Sequence, residues 1–150
     1  MTGWPLVRLA RRSDWVAIAS LLSAHQLPLA GAQAHLGAFM LALTGDTLAG
    51  VAGVEVYGSV ALLRSVVVEP RDQNRGLGRT LVGAVLEEIE RRGVGDVYLL
   101  TTTAPGYFQK LGFNRVSRDT APEVLKASAE FQGACPATAV LMQLRLEAQR

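Results

Sequence analysis

Val66-Val67-Val68-Glu69-Pro70-Arg71-Asp72-Gln73-Asn74-Arg75-Gly76-Leu77-Gly78-Arg79-Thr80 reads as an apolar strand, a glycine-punctuated basic turn and the start of a helix. A strand that feeds a glycine turn and then a helix gathers free backbone N–H groups at one point, and that point suits a phosphate. Gly76 and Gly78 carry no Cβ, so the main chain can come close to a ligand. Arg71, Arg75 and Arg79 add forked cationic donors on the same turn. The stretch is read as a pyrophosphate cradle, against the plainer alternative of an ordinary strand-to-helix connection.

Two familiar phosphate cradles are excluded by single positions. The P-loop pattern needs Gly-Lys-Ser/Thr, and here Gly78 is followed by Arg79 and Thr80. The dinucleotide fingerprint needs a third glycine where Leu81 stands. What remains is Gln73-x-x-Gly76-x-Gly78, set between a valine run and an amphipathic helix.

Composition narrows the class further. A chain of 150 residues suits one domain, residues 1–150, with a single core. Aromatics make up 6% against 49% hydrophobic residues overall, so that core must be mostly aliphatic. A net charge of +2 would help hold a polyanionic ligand but is too small to argue for nucleic acid. Charges and glycines interrupt every apolar run, which argues against a membrane span. Arg8, Arg11 and Arg12 follow Trp4-Pro5-Leu6-Val7 too closely for a secretory leader. With Cys135 as the single cysteine, no disulfide can form within the chain, and a cytoplasmic location is expected. Two histidines and one cysteine show no ligand spacing, so no metal is expected.

In chain order, Leu6 to Ala10 is expected as a strand with Arg8 facing out, and Ser13 or Asp14 as the cap of a helix to about Ala24. A loop through Pro28 and a short helix over Ala32 to Gly37, carrying His35, come next. Phe39 to Leu43, Leu48 to Tyr57 and Val60 to Glu69 are strands, the first two joined by Thr44-Gly45-Asp46-Thr47. The helix after the cradle is expected over about Arg79 to Arg92, buried through Leu81, Val82, Val85, Leu86 and Ile89. Glu87 with Arg91 and Glu88 with Arg92 form i,i+4 pairs on its wet side. Strand Asp96 to Thr102, helix Pro105 to Leu111, strand Phe113 to Val116, a helical excursion over Pro122 to Ala129 and a last strand Thr138 to Leu146 complete the chain.

The glutamine-glycine-glycine turn in this setting resembles the acetyl-CoA-binding motif of the GNAT N-acetyltransferase superfamily, and the element order matches that family over nearly the whole chain. The resemblance implies an α/β (α+β) fold: a mixed twisted sheet, flanked by helices, whose fourth and fifth strands splay apart. It further implies that acetyl-CoA lies in that wedge, held by Val66, Val67, Val68, Gln73, Asn74, Arg75, Gly76, Leu77, Gly78, Arg79 and Thr80, with Thr102 and Phe108 nearby. Tyr57-Gly58, Leu62-Leu63-Arg64-Ser65, Leu99 to Phe113 and Glu130 to Val140 look like the arsenic-resistance N-acetyltransferases of the ArsN type, and part of this also resembles N-acetylglutamate synthases. That implies transfer to the primary amine of a small acceptor, an amino acid or an arsenical or phosphinic mimic of one, by direct attack in a ternary complex. A non-catalytic acyl-CoA-binding module and a protein acetyltransferase are the competing readings. Family members often dimerise through their last strands, so a homodimer is allowed.

For the chemistry, a backbone N–H near Val66 or Val67 would polarise the thioester carbonyl. Many family members place a thiol-protonating tyrosine where this chain has Phe108. Tyr107 lies one residue earlier, a rotation of about 100° on a helix, so either it reaches the sulfur from a shifted helix or water serves. Glu55 is the best candidate base, against a reading as a solvated strand residue. Arg64, inside an apolar strand, is either paired internally with Glu55 or another carboxylate or clamps the acceptor's anionic group; the clamp is taken forward. Ser65, His35, Thr101 and Phe131 are the other expected acceptor contacts. Thr101, Thr102 and Thr103 have helix capping as their alternative, and His25 and His35 a hydrogen-bonding or surface role. Cys135 is read as a small buried hydrophobe.

Overall fold

The structure, a computed structural model, describes residues 5–73, 75–134 and 138–146. Asn74 and Cys135 lie outside the described residues, and with them two of the readings above. Among the described residues, seven strands form one sheet in the order β1-β2-β3-β4-β5-β7-β6. They are β1 Leu6–Leu9, β2 Met40–Thr44, β3 Thr47–Tyr57, β4 Val60–Val68, β5 Asp96–Thr101, β6 Asn114–Val116 and β7 Val140–Arg145. The helices are α1 Trp15–Ala24, α2 Leu77–Arg91, α3 Pro105–Lys110 and α4 Glu123–Lys126. Only β4 and β5 run parallel; the other neighbours are antiparallel. The mixed sheet is the one expected, and α2 is the right length to make the parallel crossover between β4 and β5.

Both hairpins turn on glycines with positive φ, Gly45 at +62° between β2 and β3 and Gly58 at +65° between β3 and β4. Leu77, Leu81, Val82, Val85 and Ile89 of α2 pack against Ala49, Ala52, Leu63 and Val97 on one face of the sheet. The opposite face is covered by Ile18, Leu21 and Leu22 of α1 at the β1–β3 end and by Leu125 of α4 over Leu62, Tyr98 and Leu141. Each layer thus buries the aliphatic stripe that its helical spacing dictates.

Three local expectations need correcting. Asp14 does hold the N-cap position of α1 but its side chain makes no cap bond to that helix: its carboxylate accepts two bonds from Arg8, at 2.9 and 3.0 Å, and one from the Arg11 N–H at 2.6 Å. The Arg8 bonds, with the Arg11 contact behind them, hold that carboxyl below its usual range. Arg8 is therefore tied down rather than facing out. On α2, the expected Glu88–Arg92 pair forms at 2.9 Å, but Arg91 joins Glu88 at 2.8 Å in place of Glu87, because i,i+3 and i,i+4 neighbours reach the same side of a helix. The helix itself starts at Leu77, two residues before the expected start, because Gly76 takes a left-handed conformation (φ 78°, ψ 11°) that ends the turn early.

Gly53 marks the tightest approach in the sheet. A Cβ placed there would enter the ring of Phe39, which is fully buried. Gly53→Ala is expected to lower stability by about 1–3 kcal/mol, since a packed core cannot absorb an added methyl without shifting. Denaturant unfolding should show a lower midpoint at an unchanged slope.

Candidate active site

The β4–β5 ladder runs from Val60↔Asp96 to Leu63↔Leu99 and stops there, which is the splay the wedge requires. On its other side β4 breaks register with β3 between Gly53↔Arg64 and Val51↔Val67. Ser65 and Val66 together stand opposite Ala52, one residue more than the pairing needs, and form a bulge; Ser65 takes φ +56° to make it. A bulge bends and twists its strand, and here it falls where β4 leaves β5. A left-handed conformation on a residue other than glycine is strained by about 1–3 kcal/mol, and such strain gathers at functional sites.

Two clefts meet in this wedge. The larger, about 480 Å³, is lined by Val66, Val67 and Val68, then Gln73, Gly76, Leu77, Gly78 and Arg79, with Tyr107 and Lys110 of α3 and Leu111 just after it opposite. The smaller, about 220 Å³, lies under the 27–28 loop and includes Arg64, Ser65, Thr101, Thr103, Phe108 and Glu130. Val66 and Tyr107 line both.

The larger cleft fits a diphosphate at its helix end. The α2 ladder opens with the bond from Thr80 N–H to Gly76 O at 3.0 Å, so the N–H groups of Leu77, Gly78 and Arg79 fall in the first turn, where a helix supplies no acceptor. Gly78 is needed for space: an added Cβ would sit 2.5 Å from the Tyr107 hydroxyl. Gln73 closes the turn by donating to Val68 O at 2.9 Å. Four expected contacts lie elsewhere. The Thr80 hydroxyl is spent on Gly76 O at 3.0 Å. Arg75 leans on Asp72 at 3.4 Å instead of the cleft. Thr102 is exposed beyond the end of β5. Phe108 points into the core, edge-on to Phe113 at 6.1 Å, and reaches only the smaller cleft. Lys110 and Leu111 were not anticipated. Their signal was the i,i+3 and i,i+4 spacing from Tyr107, which puts all three on one side of α3.

Tyr107 stands at the junction. Its ring packs edge-on against Phe108 at 5.2 Å, and 40% of the residue is exposed. Burial raises its hydroxyl above the ordinary tyrosine value, with Arg79 pulling the other way. It therefore stays a proton donor throughout the neutral range.

Behind the smaller cleft lies a buried charge cluster centred on Arg64, which is 3% exposed. Its Nη1 donates to Glu55 Oε2 at 2.5 Å and to Ala30 O at 2.7 Å; its Nη2 donates to Pro28 O at 2.8 Å. Its Nε donates to Ser65 Oγ at 3.2 Å and lies 3.3 Å from Glu130 Oε2. The internal-pair reading is thus the one this geometry matches; a clamp does not, because both arms of the guanidinium hold the 28–30 loop and Glu55. Glu55 is 2% exposed and lines neither cleft. Its other oxygen accepts from the Tyr57 hydroxyl, which burial and this carboxylate push well above the usual tyrosine value. A base must reach the proton it abstracts, so Glu55 does not suit that task. Nor is it a solvated strand residue. His35 stacks against Tyr57, with ring centroids 5.3 Å apart, and has its Nε2 3.9 Å from Glu55 Oε1; it backs the cluster without lining the cleft. Phe131 also misses the cleft, packing under the Arg118 guanidinium at 5.5 Å. Thr101 does line it while its Oγ1 accepts from Ala104 N–H at 3.1 Å, so it also caps the turn into α3. His25 pairs with Glu69 at 3.3 Å, away from both clefts.

The acetyltransferase (GNAT) family model matches residues 7–113, from β1 through the wedge to just past α3. The chain belongs to the acetyltransferase (GNAT) family. Acetyl-CoA is the co-substrate of GNAT acetyltransferases, and the glycine turn, the splayed strands and the cleft between them are the parts of this GNAT domain that fit it. Mycothiol acetyltransferase of Catenulispora acidiphila is 37% identical over 92 residues, 54% of this chain and 29% of that enzyme. The [ribosomal protein bS18]-alanine N-acetyltransferase of Salmonella typhimurium is 35% identical over 76 residues, 48% of this chain and 51% of that enzyme. The matches thus span about half or less of the length of these relatives. Among solved structures, N-acetylglutamate synthase of Neisseria gonorrhoeae, complexed with coenzyme A and N-acetyl-glutamate, matches with a TM-score of 0.81 at 21% identity, over 97% of this chain and 36% of that one. That likeness is one of fold.

Proposed function

We propose that this chain moves the acetyl group of acetyl-CoA to the primary amine of a small acceptor, an amino acid or an amino-acid-like toxicant such as an arsenical or phosphinic mimic, by direct attack in a ternary complex. The observation that carries this reading is the meeting of the two clefts at Val66 and Tyr107. One cleft ends on a helix N-terminus that suits a diphosphate; the other is small and buried and suits an amine. Acetyl-CoA supplies the activated acyl carbon. The first turn of α2, with Arg79 and Lys110, holds its diphosphate end, and Val66 to Val68 hold its pantetheine. Val66 stands outside the β3 register, beyond the last β4–β5 pair, so its backbone N–H, in preference to that of Val67, is the donor to the thioester oxygen. The neutral amine forms the new C–N bond as the C–S bond breaks, Tyr107 gives its proton to the departing sulfur, and the proton lost from the nitrogen returns to the tyrosine oxygen through water. A lone cysteine in the sequence suits a reducing compartment, and we place the activity in the cytoplasm.

The sequence likeness to a [ribosomal protein bS18]-alanine N-acetyltransferase supports one second reading, in which the smaller cleft takes an alanine at the start of a peptide. The two readings part in an acceptor screen. Amino acids and their arsenical and phosphinic mimics are set against polyamines, aminoglycosides and peptides beginning with alanine, with thiol release and acceptor mass as readouts. Acetylation confined to the compact amino-acid set is expected. Selective acetylation of the peptides would replace this reading with the second. Binding of acetyl-CoA without thiol release from any acceptor would mark a sensing module.

A further inference from the structure

The segment after α1 roofs the smaller cleft through Leu27 and Pro28. Its path is set where the helix ends. The Leu27 N–H donates to Leu22 O at 2.9 Å and the Gln26 N–H to Ser23 O at 3.0 Å, the pair of bonds that closes a helix on a left-handed residue. Gln26 takes that conformation, at φ +60°, where glycine is the usual choice. These bonds shape the turn, and two groups of bonds place it over β4. On the far side, Arg64 donates to Pro28 O and Ala30 O. On the near side, His25 Nε2 lies 3.3 Å from Glu69 Oε1. An ionised carboxylate only accepts, so the imidazole is the donor. Glu69 is a firm post, because its own N–H donates to Ala49 O of β3 at 2.8 Å. It follows Val68, the last lining residue of β4 in the larger cleft, and precedes the turn Pro70–Asp72 that leads to the glycines.

We propose that His25 and Glu69 are positioning residues for the acceptor, fastening the near edge of the roof to the strand that carries acetyl-CoA. Neither lines a cleft; they act through Leu27 and Pro28. Their contact sets the roof over the smaller cleft, so it bears on how the acceptor sits and not on the grip on the cofactor. Both side chains are partly exposed, at 28% and 33%, so the pair adds little to folding. Its loss shows in the acceptor's KM before it shows in stability. The inference rests on the acetyl-transfer reading and adds to it a physical link between the two clefts.

The test is a mutant cycle. Thiol release from acetyl-CoA is followed with L-alanine, L-glutamate, an arsenical and a phosphinic amino-acid mimic, spermidine, an aminoglycoside and an alanine-initiated tripeptide. KM and kcat are then measured on the acceptor acetylated fastest. The variants are His25→Ala, Glu69→Ala, the double variant, and His25→Gln, which keeps an N–H donor at about the reach of Nε2. Each single alanine variant is expected to raise the acceptor's KM about threefold or more, with kcat and coenzyme A affinity within about twofold and the thermal midpoint within a few degrees. The double variant should be no worse than either single one, because residues in contact do not act additively. His25→Gln should recover part of the loss. A smaller rise in KM for His25→Ala overturns the proposal. So do effects that multiply in the double variant, or a loss of coenzyme A affinity as large as the rise in KM. A wild type that releases no thiol with any of these acceptors would overturn the acetyl-transfer reading itself and the inference with it.

Discussion

Replacing Arg64 with leucine is expected to cost about 3–5 kcal/mol of folding stability, because it leaves buried carboxylates without their cation. Glu55 and Glu130 both lie against this guanidinium, at 2.5 and 3.3 Å, and the loop carbonyls of Pro28 and Ala30 would lose their donors as well. Gly31, at φ +79°, packs so close that a Cβ there would lie 3.3 Å from Arg64 Nη1; the loop is moulded on the ion pair and should loosen with it. Urea unfolding at neutral pH measures the loss. Adding Glu55→Gln and Glu130→Gln to Arg64→Leu should return part of it, since neutral amides remove the unpaired charges. A stability within about 0.5 kcal/mol of wild type, accompanied by a raised acceptor KM alone, would restore the clamp role in place of this one.

Tyr107→Phe is expected to lower kcat by about 10²-fold or more, within the range that a positioned proton donor contributes. The substitution is clean. Phenylalanine keeps the edge-on packing against Phe108 and the wall of both clefts, so only the hydroxyl is lost. The KM for acetyl-CoA should change little. The pH dependence supplies an independent sign. Burial raises this hydroxyl above its ordinary value of 10.0, so an acid role places the alkaline fall in kcat above that value in the wild type and removes it in the variant. A kcat within threefold of wild type would assign the proton to water.

Why some of this was readable in the sequence and some was not follows from which residues carry information locally. The strands and α2 announce themselves by apolar spacing, and the glycine turn by composition, because both are properties of neighbours in the chain. Arg64 was conspicuous as a charge in an apolar strand, but its partners come from β3, the 28–30 loop and the 130–134 turn, and no local pattern shows which of them will meet. Glu55 looked available for the same reason: its burial depends on residues 57 and 64 and on a loop folded across it. Glu130 lies in a segment whose irregular turn has no period at all. The early start of α2 hinged on the sign of φ at Gly76, which a glycine leaves open.

The bulge at Ser65 has a further consequence for β4. Ahead of it, Ala61 and Leu63 face α2; after it, Val66 and Val68 do. The one inserted residue switches the strand's parity from odd to even. Laid out as a regular strand with no bulge, the same residues would present Val67, now packed with α1, toward α2 instead. The glycine turn would leave the sheet on the wrong side, facing away from α3 and its tyrosine. One residue set out of the pleat thus decides which valines of this strand meet α2 and which meets α1.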